Sequence, residues 1–333
     1  MYRARVASEL FCEYNVFMGR LIAALLLIGT TFGGFFFLRS EDVSLKSPVP
    51  KVFGISKSPI VNKWFPKTES LTLASTSGLT LSAKSAILVD FDTQEVIFQK
   101  DPQQKLPVAS TVKIMTALLA LENTKPSDIY VVSEKAAKVG ENSMGLTTGE
   151  RLSREELLYG LMLVSGNDAA VALAEGIAGS EEAFVAMMNE KTNSLGLFDT
   201  QFINASGLDE DGRMQYSTAY DMATIAHFIW QNYPEFREVS SAEHKFIEAN
   251  SYHKAFDLYN DTNLLTTYPG VKGIKPGFTW EAGLCLVTYA ENDGKKLLGV
   301  ILGSDDRRGE MKELLDFGFG KYGIKVDHPA LDL

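Results

Sequence analysis

A helix-forming stretch that carries reactive side chains occupies residues 106–122: Leu106-Pro-Val-Ala-Ser-Thr-Val-Lys-Ile-Met-Thr-Ala-Leu-Leu-Ala-Leu-Glu122. The apolar residues from Ile114 onward recur at helical spacing, and Pro107 precedes them as a helix breaker. Ser110 is therefore predicted at the amino terminus of a helix, with Lys113 one turn later on the same face. At such a place a hydroxyl can meet an amine, and free backbone N–H groups can stabilise developing negative charge.

The segments on either side predict strands near both ends of the globular part and helices between them. Residues 153–231 are predicted to be largely helical, and Ser153-Arg-Glu-Glu156 has the pattern of a capping box. Asn292-Asp-Gly294 is a predicted hairpin turn. The other predicted elements are strands at 86–92, 95–99, 271–278, 283–289 and 296–302, and helices at 181–195, 218–230 and 308–319. This order predicts an α/β (α+β) fold, with one sheet built from both termini and an inserted helical lobe.

Composition excludes several classes of protein. The chain has 333 residues, of which 45% are hydrophobic, which is enough for a large core and a second lobe. Its formal net charge of −10 disfavours nucleic acid as a partner. The four histidines have no HExxH-type spacing, so we expect no metal site and no cofactor. Cys285 lies in an apolar run and is predicted to be a small core residue.

The amino terminus predicts a membrane segment. Residues 21–38 carry no charge and approach the length needed to span a bilayer, and Arg3, Arg5 and Arg20 precede them. The predicted organisation is a cytoplasmic amino terminus (1–20), a transmembrane signal-anchor (21–38), a stalk or linker (39–83), a globular domain (84–325) and a tail (326–333). This predicts a single-pass protein of the cell membrane whose globular domain is extracytoplasmic. The alternatives are a cleaved signal peptide with secretion, favoured if Met18 is the true start, and a buried core helix.

Three short motifs follow one another along the globular domain: Ser110-Thr-Val-Lys113, Ser165-Gly-Asn167 and Lys275-Pro-Gly277. Each has an ordinary structural explanation, respectively a helix cap, a turn between helices and a solvated lysine. The first motif also recurs as Ser251-Tyr-His-Lys254. Their order and predicted placement favour function, because S-x-x-K, S-x-N and K-x-G are a known signature of serine acyl-enzymes.

The sequence around these motifs resembles the D-alanyl-D-alanine carboxypeptidases, the low-molecular-mass penicillin-binding proteins. The resemblance covers about residues 84–322. It is carried by residues 106–122 and by six further segments in the family's order: Ser143-Met-Gly-Leu146, Gly149-Glu150, Leu163-Val-Ser-Gly-Asn-Asp-Ala-Ala170, Phe202-Ile-Asn-Ala-Ser-Gly-Leu-Asp209, Tyr216-Ser-Thr-Ala219 and Leu314-Leu-Asp-Phe-Gly-Phe319. It implies a β-lactamase/transpeptidase-like fold, with an antiparallel sheet flanked by helices and a cleft beside the helical lobe, and makes 84–325 a serine D,D-peptidase domain.

The resemblance also implies roles for individual residues. Ser110 attacks the carbonyl between two D-alanines, and Lys113 accepts its proton. Ser165 relays a proton to the leaving amine, and Asn167 holds the acyl-side amide. Lys275 contributes positive potential and keeps Lys113 neutral.

Further residues are implied to bind the oxyanion or the substrate. The N–H groups of Ser110 and Phe278 form the oxyanion hole, and the strand with Gly277 aligns an extended peptide. Arg307 faces the substrate carboxylate, and the adjacent Arg308 is the alternative. The implied partners are peptidoglycan stem peptides and β-lactams.

The sequence departs from the family at Pro276, where the family usually has a threonine whose hydroxyl binds the substrate carboxylate. Proline has no such donor, so we expect weaker carboxylate recognition, offset in part by Arg307 or Thr279. Two alternatives to a carboxypeptidase remain open. One is a β-lactamase, although no E-x-x-L-N follows Ser165; the other is a catalytically inactive peptidoglycan-binding module.

Overall fold

The computed structural model describes residues 64–67, 78–210, 212–262 and 264–329. The predicted cytoplasmic segment and the predicted membrane segment lie outside the described residues, as does most of the predicted linker. Within the described ranges, no helix is both long enough and apolar enough to cross a membrane.

Five antiparallel strands form the central sheet, in the order β2-β1-β9-β8-β7. Since β1 and β2 come from the start of the domain and β7 to β9 from its end, the predicted sheet built from both termini is confirmed. Two small sheets pair β3 with β4 and β5 with β6. The strands are β1 (Ser85–Asp90), β2 (Val96–Lys100), β3 (Ile129–Val131), β4 (Arg151–Ser153), β5 (His244–Ile247), β6 (Phe256–Tyr259), β7 (Val271–Thr279), β8 (Gly283–Asn292) and β9 (Lys295–Ser304).

The turn between β8 and β9 has the conformation that its sequence predicts. Asp293 and Gly294 both have positive φ angles, of 47° and 75°. A tight hairpin needs positive φ at both central positions because only then does the turn match the twist of its strands. The predicted Asn292-Asp-Gly294 turn is confirmed.

Most of the helices lie between β2 and β7, and the last one follows β9. Ser153 and Glu156 exchange side-chain and backbone hydrogen bonds as a capping box, as predicted. The α-helices are Lys113–Asn123, Glu134–Lys138, Arg154–Leu163, Asn167–Ala178, Glu181–Leu195, Ala219–Asn232, Pro234–Ser241, Leu264–Thr267 and Arg307–Gly320.

The sheet has a hydrophobic layer on each face. Along β1, Ile87 and Val89 point to the helical lobe, whereas Ala86 and Leu88 point to the closing helix Arg307–Gly320. This division follows from the two-residue repeat of a strand, which sends successive side chains to opposite faces. Each fully buried leucine or isoleucine contributes roughly 1.5–3 kcal/mol, so both layers hold the sheet between the helices.

Packed structure begins upstream of Lys84. Leu81 and Ala83 are buried in the layer beneath the closing helix. Trp64 stacks on His227 with ring centroids 4.0 Å apart, and its Nε1 donates a hydrogen bond to the carbonyl of Phe91. Residues 64–67 therefore contact the domain directly.

Replacing His227 by phenylalanine is expected to make the protein less sensitive to acid. Burial lowers the pKa of His227 from 6.5 to about 4. Between these two values the unfolded chain binds a proton that the folded chain does not, so the free energy of unfolding falls as the pH falls from 6.5 to 4. The wild type should lose about 2–3 kcal/mol more than the variant between pH 7 and pH 4 in urea unfolding. Equal losses would show that His227 does not set this sensitivity.

Candidate active site

Ser110 lies in a short 3₁₀ helix, Ala109–Val112, that continues into the helix Lys113–Asn123. The sequence predicted one uninterrupted helix beginning at Ser110, and the 3₁₀ turn is the difference. Ser110 does not cap the helix, because the cap position is Val108. Ala109 has a φ of 48°, a left-handed conformation that is uncommon for residues other than glycine. Such strain is found where the surrounding structure enforces it.

Two glycines press against the backbone of this turn. A Cβ on Gly207 would lie 2.2 Å from the carbonyl oxygen of Ala109, and Gly207 itself has a φ of 89°. A Cβ on Gly277 would lie 2.9 Å from the amide nitrogen of Ser110. Both positions therefore require glycine, and together they hold the Ser110 backbone between the helical lobe and β7.

Lys113 is buried, and its Nζ makes three contacts. Ser110 Oγ lies 3.0 Å away, Asn167 Oδ1 2.7 Å and the carbonyl oxygen of Ser206 2.5 Å. The orientation of the Asn167 amide is fixed by its other end, since Nδ2 donates to the carbonyl of Gly140 at 2.9 Å. Oδ1 must therefore face Lys113.

The hydrogen-bond partners of Lys113 define the direction of proton transfer. A neutral amine has two N–H donors and one lone pair. Asn167 Oδ1 and the Ser206 carbonyl can only accept, so they take both donors. The lone pair of a neutral Lys113 is then directed at Ser110 Oγ, which can donate to it.

Burial and a second cation favour that neutral form. Desolvation lowers the pKa of Lys113 well below its usual value of 10.5, and the charge of Lys275 lowers it further. Asp261, Glu141 and Asp168 act in the opposite direction. Burial is the largest cause of the lowered pKa, and it favours the neutral amine that a general base must be.

Ser165 lies between the helices Arg154–Leu163 and Asn167–Ala178, in a left-handed conformation with φ of 59°. Its Oγ is buried and makes no hydrogen bond within the described part of the chain. Ser165 belongs to the lining of the cleft described below, and its predicted role as a proton relay stays a prediction. Asn167 orients Lys113 in this structure, while its predicted contact with an acyl amide stays a prediction.

Lys275 is not a solvated charge. Its side chain is fully buried, and its Nζ contacts both carboxylate oxygens of Asp261, at 3.1 and 3.2 Å. Desolvation lowers the pKa of Lys275, and Asp261 partly reverses that effect.

Pro276 and Phe278 lie on β7, the edge strand of the sheet. Pro276 is paired with Leu286 on β8 but has no N–H to donate to that strand. Proline is tolerated in an edge strand at positions where an N–H would point away from the neighbouring strand, so the backbone nitrogen of Pro276 faces away from β8. The register is regular from Ile274 to Thr279. Since N–H directions repeat every second residue, the Phe278 N–H also faces away from β8, on the open side of β7. This direction suits an oxyanion donor, and the pairing of Ser110 and Phe278 N–H groups stays a prediction.

These residues surround a cleft of about 150 Å³. Arg307 lines it and donates from Nη1 to the carbonyl of Gly277 at 2.6 Å. Thr279 is placed differently: its Oγ1 accepts a hydrogen bond from the Ala282 N–H, and it is absent from the described lining of the cleft, so its part in binding stays a prediction. The lining residues are Ser110, Glu141, Asn142, Ser165, Asn167, Asp261, Pro276, Gly277, Phe278 and Arg307.

Sequence reasoning missed several residues that shape this site. The carbonyl of Ser206 and the backbone of Gly207 lie in a segment that resembles the family, but no motif assigned them a role. Asp261 follows β6 without any motif. Asp168 accepts hydrogen bonds from the backbone of Met144, Gly145 and Leu146; it lies directly after Ser165-Gly-Asn167 in a segment that resembles the family, but no motif assigned it a role.

The fold and the site together define a class, the serine acyl-enzymes with S-x-x-K, S-x-N and K-x-G motifs. A model of the D-alanyl-D-alanine carboxypeptidase family matches residues 72–306. The chain belongs to this family.

Individual relatives agree with this assignment. The D-alanyl-D-alanine carboxypeptidase DacF of Bacillus subtilis is 40% identical over 255 residues, covering 74% of this chain and 64% of DacF. A Mycobacterium tuberculosis D-alanyl-D-alanine carboxypeptidase is 31% identical, covering 71% of this chain and 82% of the relative. The chain thus spans less than two thirds of the Bacillus protein.

Solved structures confirm the predicted fold class. Penicillin binding protein 6B from Escherichia coli superposes with a TM-score of 0.65 at 33% identity, covering 72% of this chain and 78% of that one. A Mycobacterium tuberculosis D-alanyl-D-alanine carboxypeptidase superposes with a TM-score of 0.68 at 29% identity, covering 76% of this chain and 96% of that one.

Proposed function

We propose that this chain is a D-alanyl-D-alanine carboxypeptidase that removes the terminal D-alanine of peptidoglycan stem peptides through an acyl-enzyme on Ser110. The observation that carries the proposal is the 3.0 Å contact between Ser110 Oγ and the Nζ of a buried Lys113 whose other partners can only accept hydrogen bonds. This geometry supplies the hydroxyl with a base before any substrate binds.

Acylation starts when Ser110 Oγ attacks the carbonyl carbon of the penultimate D-alanine and its proton passes to Lys113 Nζ. The oxyanion forms beside the N–H groups of Ser110 and Phe278. The carbon–nitrogen bond then breaks, and the leaving amine takes up a proton by way of Ser165, a residue that lines the same cleft. Free D-alanine departs, and the peptide remains as an ester on Ser110.

In deacylation, water is the nucleophile and Ser110 is the leaving group. A water molecule adds to the ester carbonyl and gives its proton to Lys113, and the ester bond breaks with return of a proton to Ser110 Oγ. A β-lactam also forms an ester with Ser110. This ester is hydrolysed slowly, because the chain has no E-x-x-L-N segment after Ser165 to activate the water. Penicillin is therefore expected to inhibit, and rapid repeated turnover of a reporter cephalosporin would contradict this expectation.

The same proposal places the catalytic domain outside the cytoplasm, tethered to the cell membrane by residues 21–38. Its support is the uncharged run itself and the arginines that precede it. Stem peptides of the cell wall are extracytoplasmic, so the location and the proposed substrate are consistent with each other. Secretion after signal cleavage is the alternative.

Replacing Pro276 by threonine is expected to lower KM for an acyl-D-alanyl-D-alanine peptide by roughly threefold to tenfold, because it adds one hydroxyl donor for the substrate carboxylate. Pro276 lines the cleft between the buried Lys275 and Gly277, so the new hydroxyl would face the substrate. Steady-state kinetics on the two proteins measure the change. An unchanged KM would show that residue 276 does not contribute to carboxylate binding.

The proposed activity is tested by release of D-alanine from an acyl-D-alanyl-D-alanine peptide. The wild type should release D-alanine, and Ser110→Ala should reduce the rate to background. Ser251→Ala is the matched control because Ser251 and Lys254 repeat the S-x-x-K spacing outside the cleft. Equal activity of wild type and Ser110→Ala, or loss in Ser251→Ala alone, would refute the proposal.

A further inference from the structure

Asp261 occupies the cleft without belonging to any of the three motifs. It follows β6, and its backbone N–H donates to the carbonyl of Leu163, which ends the helix before Ser165. Its side chain is 34% exposed and lines the cleft together with Ser110 and Ser165. The carboxylate is therefore both anchored and open to the substrate side.

The contact between Asp261 and Lys275 is made by both oxygens at nearly equal distances, 3.1 and 3.2 Å. A buried ammonium paired in this way has much of its charge offset by the neighbouring carboxylate. Lys275 is the cation that the K-x-G motif places beside the substrate. In this chain its positive potential is partly cancelled within the site.

Arg307 is the cation that remains open to the cleft. The residue is partly buried, and its guanidinium donates a hydrogen bond to the carbonyl of Gly277. Asp261 acts on it as well, because its charge raises the pKa of Arg307 against the effect of burial. The negative charge of Asp261 thus opposes the binding of a substrate carboxylate next to Arg307, and Pro276 adds no hydroxyl donor there.

We propose that Asp261 is a specificity-determining residue that offsets the charge of Lys275 and so weakens the binding of a ligand's free carboxylate, without abolishing it. The inference rests on the proposed function of the same site and adds a selectivity to it. Asp261 weakens the binding of ligands with an anionic carboxylate more than it weakens the binding of ligands in which that group is neutral.

The charged groups around the two lysines determine how a variant should behave. Lys113 is influenced by Lys275 on β7, by Asp261, by Glu141 in the loop before Ser143, and by Asp168 on the helix Asn167–Ala178. Because Asp261 raises the pKa of Lys113, its removal should move the acidic limb of the acylation profile to lower pH. A merely structural contact would not produce that shift.

Asp261→Asn is the variant of choice because the amide oxygen can still accept from Lys275 Nζ while the charge is removed. The probes are benzylpenicillin, which carries a carboxylate, and its methyl ester, which does not. Acylation of Ser110 is followed by mass spectrometry at several values between pH 5.5 and 8.5. The ratio of the two second-order rate constants cancels effects on the base itself.

The ratio of carboxylate to ester reactivity should rise roughly fivefold to tenfold in Asp261→Asn, most at acidic pH, where Lys275 keeps its proton. Asp92→Asn is the matched control, since Asp92 forms an aspartate–lysine pair with Lys296 outside the cleft; its ratio should not change. Asp261→Ser tests the same point should the asparagine variant fold poorly.

The outcomes separate the two proposals. If the wild type is acylated but neither Asp261 variant changes the ratio, or the ratio falls, the inference about Asp261 is wrong and the proposed function stands. If a folded wild type is not acylated by either probe, the proposed function itself fails.

Discussion

Replacing Lys113 by methionine is expected to slow acylation of Ser110 by penicillin about 10³-fold, within the range usual for loss of a general base. The lone pair of a neutral Lys113 has one partner that can donate a proton, Ser110 Oγ, because its other two contacts are carbonyl acceptors. Methionine fills a similar volume but cannot accept that proton. The measurement is the second-order rate of covalent labelling at neutral pH.

The pH dependence of the wild type follows from the same arrangement. Burial and the charge of Lys275 lower the pKa of Lys113, and the base is active only when deprotonated. Acylation should therefore fall as the pH drops through the lowered pKa of Lys113, and Lys275→Gln should move this fall to higher pH by removing the neighbouring cation.

Lys254→Met is the control for both experiments. Lys254 closes the second S-x-x-K spacing and is bound to Thr147 and Glu150 on the surface, so its loss should leave acylation unchanged. An acylation rate in Lys113→Met within threefold of the wild type would contradict a base role for Lys113.

Replacing Gly207 by alanine is expected to lower the free energy of unfolding by about 3 kcal/mol and to slow acylation at least 10²-fold. The added Cβ would lie 2.2 Å from the carbonyl oxygen of Ala109, so the turn that carries Ser110 must shift. The left-handed φ of 89° adds backbone strain. Urea unfolding and penicillin labelling measure the two effects.

The variant Gly149→Ala is the control that separates the effect of backbone strain from the effect of the steric clash with Ala109. Gly149 has nearly the same φ, 87°, but a Cβ there would meet no atom within 4 Å. It should lose only about 1 kcal/mol and keep its acylation rate. Equal behaviour of the two variants would mean that the contact between Gly207 and Ala109 does not position Ser110.

Local sequence patterns predicted the elements of this fold well. Glu181–Leu195 has the predicted bounds, and the β8–β9 turn could be read from Asn292-Asp-Gly294, because helix periodicity and turn chemistry are properties of neighbouring residues. The 3₁₀ turn around Ser110 could not be predicted in this way. It depends on Gly207 and Gly277, which approach it only after the chain has folded.

The motif residues of the site could be predicted from the sequence, but the charge pair that tunes them could not. Ser110, Lys113 and Ser165 could be found because their spacing along the chain is itself the signal. The pairing of Asp261 with Lys275 joins a loop residue to a strand residue fourteen positions later, so no periodicity marks it. The contact of Trp64 with His227 is a similar case, since one aromatic residue in an irregular segment gives no pattern.

The most direct test of the account is the mass of the protein after incubation with benzylpenicillin, followed by peptide mapping. We expect one penicillin adduct per chain, located on the peptide that contains Ser110 and absent from Ser110→Ala. An adduct at another residue, or a folded wild type that gains no mass, would contradict it.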